Sequence, residues 1–240
     1  MGILKQTLNR SNFVASSLSP GYHLSALSTF SSDRDDQTLR RHVKKQLRKR
    51  MVGLRMTVPT SACAIRSAAI IERLKQLPIL ETAAQIALFW PILAKHEVDL
   101  RELDTLLRAR GATIAYPYIA ETESISDDGP MDFRLLSDIG DLESSSLGFL
   151  QPPADAPIAY SLDAIIVPAL AIDPFGHRIG YGAGYYDCAL REVTSQIPSC
   201  VTIGVAYDYQ LISEVPVTPG DIAVAWIVTD SRVMQAGGST

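Results

Sequence analysis

Apolar positions recur at helical spacing early in the chain. Leu39, Val43, Leu47, Met51 and Leu54 trace one stripe, which predicts a helix lying on a core through that stripe. Thr57 to Thr60 holds Pro59 and breaks the helix. A second helix is expected over Ser61 to Gln76, and Ala84 to Trp90 is an apolar run of strand length. Val98 to Arg110 is helical in pattern and stops at Gly111. A strand follows over Thr113 to Tyr116, before Pro117, then an acidic loop at 121–130 and a strand at Met131 to Leu136. Three prolines make Gln151 to Pro157 a loop. Ala164 to Val167 is a buried strand, Gly184 to Val193 a helix, Val201 to Ala206 a strand and Val224 to Val228 the last strand.

Strands alternate with helices throughout. That order predicts an α/β fold: a three-layer sandwich with a mostly parallel central sheet, Rossmann-like, in a single domain. Residues 1–32 contain no Asp or Glu but carry Lys5, Arg10 and eight serines. Residues 1–35 are therefore expected to be an extension, disordered or targeting, and 36–240 the α/β domain. The expected location is cytoplasmic, or mitochondrial if the extension is a targeting segment.

Composition narrows the function. Apolar residues make up 47%, enough for a sizeable core. The net charge of -4 argues against a general nucleic-acid coat. No apolar stretch reaches the ~18 residues a membrane span needs. Cys63, Cys188 and Cys200 show no metal spacing, and the four histidines form no metal motif.

The chemistry concentrates in GHRIGYGAGYYDC, residues 176–188. A buried strand runs into glycines, and a helix follows. Ligands of open α/β sheets sit beyond the carboxyl ends of strands. Glycines there admit an anion to the backbone, and free amides at a helix start favour negative charge. The segment reads as a phosphate cradle, with a tight turn plus helix cap as the alternative. It is neither GxxxxGK[ST] nor GxGxxG, because residue 185 is Tyr. Arg178 adds a cation suited to phosphate, and Asp187 beside a polyphosphate makes sense with Mg²⁺ between them. On the first helix, Lys44, Arg48 and Arg55 share one face and present cations to one anion, or form a solvated basic face.

At this point a resemblance enters. PALAIDPFGHRIGYGAGYYD is similar to the signature of the 5-formyltetrahydrofolate cyclo-ligases, with Pro168, Asp173, Gly176, Arg178, Gly180, Gly182, Gly184, Tyr185, Tyr186 and Asp187 in register. KKQLR from Lys44 to Arg48, then Arg55 and Ser67, HEVD from His96 to Asp99, and VTPGDIAVAWIVTD near the C-terminus agree in order. The resemblance covers about residues 40 to 232. It implies ATP-dependent closure of 5-formyltetrahydrofolate, with or without a polyglutamate tail, to 5,10-methenyltetrahydrofolate, through a phosphorylated formyl oxygen. ATP and Mg²⁺ are the implied cofactors.

The resemblance also assigns residues. Lys44, Arg48 and Arg178 would hold ATP phosphates, with Gly180, Gly182, Ala183, Gly184 and Tyr186 lining them. Asp187 and Asp221 would bind Mg²⁺. Ile92, Glu97, Tyr181, Gly182 and Tyr185 would contact the folate, and Arg178 and Tyr185 would serve catalysis. Read locally, Glu97 is instead a helix-start carboxylate, Asp221 a turn residue and Tyr185 a packing residue. Cys188, Leu100 and Ala169 depart from the common Arg, Thr and Gly of the signature. A monomer with one site per chain is expected, with no nucleic-acid or membrane partner. Two other readings stand beside this one: a non-catalytic relative binding an anionic ligand or RNA, and a phosphosugar isomerase-like enzyme needing a general base.

Overall fold

The computed structural model describes residues 21–120 and 131–238, with side chains from residue 34 onward. The acidic segment 121–130 and the first twenty residues of the expected extension lie outside them. Two compact units are present, Met1–Thr38 and Leu39–Thr240. The first contributes the opening residues of helix α1 (Gly21–Thr57).

The second unit carries the rest of α1, then α2 (Thr60–Leu74), α3 (Pro78–Thr82), β1 (Gln85–Ala87), α4 (Arg101–Ala109), β2 (Thr113–Ile119) and β3 (Met131–Leu135). A small hairpin follows, β4 (Glu143–Ser144) with β5 (Leu150–Gln151). Next come β6 (Ala164–Pro168), β7 (Ala171–Ile172), β8 (Arg178–Ile179), α5 (Tyr185–Gln196), β9 (Val201–Val205), β10 (Trp226–Val228) and β11 (Val233–Gln235).

Seven strands form one sheet in the order β11-β10-β9-β6-β1-β2-β3. The five inner strands are parallel, and β3 and β11 are antiparallel edges. Alternate residues of each strand feed two cores. Ile86, Ile114, Ala164, Ile166 and Ile203 join Ile70, Leu74, Leu103 and Leu107 of α2 and α4. Ala87, Ala115, Ile165, Val167 and Ile227 join Ala189 and Leu190 of α5 on the other face. The period of two thus splits the chain into helix, sheet and helix layers. Strand β6 is apolar without alternation because both its faces are covered. Burying each of Ile165, Ile166 and Val167 contributes roughly 1.5–3 kcal/mol.

Several expectations change. Only Leu47 and Met51 of the α1 stripe face a core: Leu39 is 60% exposed and Val43 and Leu54 are exposed as well. The neighbouring face turns inward beside them, with Lys44 and Arg55 buried. Met51 and Leu47 rest on Leu170, Ala171, Ile179 and Val215 around the β7–β8 hairpin. The cations beside them find partners far along the chain, described below, and those partners set the rotation of the helix.

Helix α4 begins at Arg101, three residues later than expected, because the Asp99 carboxylate accepts the Arg101 N–H at 3.1 Å and residues 97–99 are engaged elsewhere. Strand β2 runs through Pro117. Its pairing with β1 ends at Ala115, so position 117 has only β3 beside it, as an edge residue would. The β7–β8 hairpin and β11 were not expected; both are too short for a periodic signal. No described helix is long and apolar enough to cross a membrane.

Candidate active site

The chain leaves β1 toward α4 and β2 on one side of the sheet order, and leaves β6 toward α5 and β9 on the other. A cavity of about 810 Å³ opens beyond the carboxyl ends of these two neighbours. That is the switch point where open α/β sheets bind ligands.

One wall is the glycine segment. The β7–β8 turn needs Gly176: its φ is 84°, and a Cβ there would stand 2.3 Å from the Val224 carbonyl. Buried Asp173 holds the turn by accepting the Phe175, His177 and Val215 N–H groups at 2.9–3.0 Å and facing the His177 ring at 3.2 Å. The hairpin delivers Arg178, which is 8% exposed. Arg178 donates to the Ile222 carbonyl at 2.5 Å and to Asp187 at 3.0 Å. Burial pulls its pKa down from the usual guanidinium range, and Asp187 opposes that pull.

Beyond Arg178 the backbone lies open. Gly182 has φ 109°, and a Cβ there would meet the Arg48 guanidinium at 3.2 Å. Gly184, φ 75°, caps α5 without a side-chain bond. Free amides of that first turn therefore face the cavity end of the helix dipole, a ready anion site. A Cβ on Gly180 would meet no protein atom within 4 Å. Its bareness is not demanded by the protein's own packing.

The facing wall is α1. Spacings of four, three and four place Lys44, Arg48, Met51 and Arg55 on one face. Lys44 donates to Thr218 Oγ1 at 2.9 Å and pairs closely with Asp221. Burial would raise the Asp221 carboxyl, but hydrogen bonds from Lys44 and Thr218 outweigh it and hold it below the usual carboxylate range. Arg48 donates Nε to the Gly180 carbonyl at 3.1 Å.

Farther along, Glu97 is buried at 6% exposure. Its Oε1 accepts the Tyr181 hydroxyl at 2.5 Å, and its Oε2 accepts the Ile92 N–H at 2.8 Å. Arg55 donates to the same Tyr181 hydroxyl and lies 3.8 Å from Oε1. The Glu97 carbonyl accepts from Tyr207, whose hydroxyl also bonds Ser67. His96 just before it has φ 52°, and its ring lies 3.2 Å from the Arg55 carbonyl. A carbonyl only accepts, so Nδ1 carries the proton. Glu97 is therefore not a helix-start carboxylate, since α4 begins four residues later.

The cavity brings together every residue expected at the site: Lys44, Arg48, Ile92, Glu97, Arg178, Gly180 to Asp187, and Asp221. Tyr185 lines it while also packing on the α5-side core, and Tyr186 packs near Phe133 at 6.5 Å, its hydroxyl pushed up in pKa by burial. Sequence reasoning placed Arg55 on the basic face without assigning it a site, and overlooked Arg41, Lys95, Thr218 and Trp90. Arg55 shares its helical face with Lys44 and Arg48, which was the available signal; Lys95 and Trp90 gave none.

Six cationic side chains line the cavity against three carboxylates, so it suits a polyanion. Phe89, Trp90, Ile119, Met131 and Phe149 make its other end apolar, suited to a flat ring. As for a metal, no cluster of three His, Cys, Asp or Glu occurs among the described residues. Mg²⁺ needs only one or two carboxylates beside phosphates. Asp187 fits, because Arg178 and the Ile222 N–H use Oδ1 and Oδ2 has no partner among the described residues. Asp221 is engaged by Lys44 and Thr218 and fits only as those bonds exchange.

Comparison with known proteins follows this geometry. Residues 40–230 match the model of the 5-formyltetrahydrofolate cyclo-ligase family. The chain is 29% identical over 192 residues to the 5-formyltetrahydrofolate cyclo-ligase of Mycolicibacterium smegmatis, covering 79% of this chain and 94% of that one. It is similar to the 5,10-methenyltetrahydrofolate synthetase structure from Aquifex aeolicus, with TM-score 0.68 and 26% identity over 82% of this chain and 95% of that one. It is also similar to the Mycoplasma pneumoniae synthetase, with TM-score 0.56 and 25% identity over 78% of this chain and 98% of that one.

Proposed function

The chain belongs to the 5-formyltetrahydrofolate cyclo-ligase family, and from that premise we propose that it converts 5-formyltetrahydrofolate and ATP to 5,10-methenyltetrahydrofolate, ADP and phosphate. The observation that carries this reading is the shared cavity. Glycine backbone, the α1 cations, Arg178 and two carboxylates meet at one end, and an apolar wall with buried Glu97 stands at the other.

The chemistry divides accordingly. A formyl oxygen is a poor leaving group until it is phosphorylated. In the proposed first step that oxygen attacks the γ-phosphorus, and the bond from phosphorus to the β-bridging oxygen breaks to release ADP. In the second, N10 attacks the formyl carbon and loses its proton, while the carbon–oxygen bond breaks and phosphate departs with the former formyl oxygen. Phosphoryl transfer is chiefly positioning and charge neutralisation. Lys44 and Arg48 reach the phosphates from α1, and the N–H groups of Gly182 to Tyr185 donate to them from the opposite wall. Arg178, fixed by Ile222 and Asp187, supplies a cation that needs no reorganisation. Mg²⁺, when bound, would further neutralise the phosphates; Asp187 would hold it, joined by Asp221 once its bonds to Lys44 and Thr218 exchange. Glu97 accepts N–H groups of the ring, and Tyr181 and Ile92 line that end. Tyr185 closes the cavity beside the reacting groups.

The test is direct. Whole protein with ATP, Mg²⁺ and 5-formyltetrahydrofolate should develop the near-ultraviolet absorbance of the methenyl product. No change at saturating substrates would reject the reading. Omitting Mg²⁺ or ATP should each abolish the signal.

A further inference from the structure

The segment that carries Glu97 has no scaffold of its own. Residues 97–100 belong to no helix or strand, so their backbone polar groups must borrow partners. Val98 and Leu100 anchor the segment in the core. Its polar groups are met by side chains from elsewhere. The Asp99 N–H donates to Ser67 Oγ on α2 at 3.0 Å, and the Glu97 carbonyl accepts the Tyr207 hydroxyl at 3.1 Å. Ser67 and Tyr207 themselves meet at 3.2 Å, and both are buried. A carbonyl only accepts, so the phenol proton points at Glu97 and the Ser67 hydroxyl donates to the phenol oxygen. Burial pushes the Tyr207 pKa up, so the phenol keeps its proton.

Tyr207 is fixed from behind as well. It stands two residues after β9 and stacks on Tyr209 with ring centroids 5.7 Å apart. Its N–H donates to Gln210 Oε1 at 2.9 Å, and the buried Gln210 Nε2 donates to the Ala169 and Leu170 carbonyls at 3.2 and 2.8 Å. Ala169 and Leu170 line the cavity after β6, as Glu97 does after β1, whereas Ser67, Tyr207 and Gln210 stand behind the lining. We propose that Tyr207 is a positioning residue: with Ser67 it holds the Glu97 main chain at a set distance from the Ala169–Leu170 wall, and so aims the Glu97 carboxylate at the folate ring. The inference rests on the functional reading above and deepens it. Removing the phenol hydroxyl leaves the buried Glu97 carbonyl and the Ser67 hydroxyl without that partner, and the segment must shift to find others. A misplacement of about 1 Å can cost about 100-fold, so a smaller shift is readable.

The experiment uses the whole chain, the methenyl absorbance assay and Tyr207→Phe, which keeps the ring and its stacking. KM for 5-formyltetrahydrofolate should rise about tenfold, while KM for ATP stays within about twofold. Ser67→Ala removes the support of the phenol and should give the same selective pattern at about threefold. It decides the matter if Tyr207→Phe does not fold. The double variant should lose no more than about tenfold, because both residues act through one relay. Equal changes in both KM values would overturn the proposal, and so would a lowered Tm with neither KM changed. Losses that multiply in the double variant would show that the two residues act separately, and would overturn it too. Any of these results beside a wild type that turns over leaves the functional reading standing. A wild type without turnover sinks that reading, and this inference with it.

Discussion

Gly180→Ala separates what the fold needs from what the ligand needs. The added methyl meets no protein atom within 4 Å, and Gly180 is not among the glycines with positive φ. Replacing glycine by alanine at a compatible position usually stabilises by about 0.4–1 kcal/mol, because the unfolded chain loses freedom. For a domain of this size that is a Tm rise of about 1–4 °C. The methyl nevertheless stands in the cavity, against the wall proposed to cradle phosphate. Overpacking a fitted contact costs about 1–3 kcal/mol, or roughly a 5- to 150-fold loss in kcat/KM for ATP. Thermal unfolding by circular dichroism and the methenyl absorbance assay read the two quantities separately. A chain that is slightly more stable and much less active is the expected outcome. Full activity would show that no ligand approaches this backbone, and a fall in Tm would show that the glycine serves the fold. Gly182→Ala is the contrasting case. Its φ of 109° and the Arg48 contact at 3.2 Å should lower stability by about 1–3 kcal/mol.

Three further outcomes are expected. The lowered carboxyl of Asp221 contributes stability above its unfolded value of about 4, and that contribution is lost as pH falls through the folded value. Asp221→Asn should therefore flatten the acid limb of a stability–pH profile, and an unchanged limb would refute the pairing with Lys44. Asp173→Ala leaves two backbone donors of the β7–β8 turn and the Val215 N–H unpaired and should cost about 3 kcal/mol or more in urea unfolding; a cost under about 1 would contradict the turn's description. His96→Ala keeps the left-handed backbone cost and removes the ring's bond to Arg55, so KM for the folate should rise about fivefold while KM for ATP holds. His96→Asn, which tolerates that backbone, should restore most of it, and equal changes in both KM values would count against a local effect.

The glycine segment was legible in the sequence because positive-φ positions and a helix start leave few alternatives to glycine. The sheet was legible from strand runs such as Ala164 to Val167, whose apolar continuity marks a doubly covered strand. The rotation of α1 was not. Local pattern assigns Leu39, Val43 and Leu54 to the inside, but the helix turns its cations inward because Asp221, the Gly180 carbonyl and Tyr181 await them, each more than 120 residues away. Glu97 shows the same limit. Only Tyr181, Arg55 and Tyr207, contributed by three other segments, distinguish it from a helix-start carboxylate.

The opening between β1 and β6 exists because two adjacent strands send the chain away in opposite directions. It is a gap left by winding, present before any side chain is chosen. Its walls can exchange residues, as Ala169 shows, while the hollow itself persists. Such a scaffold can trade one small molecule for another without relearning how to fold.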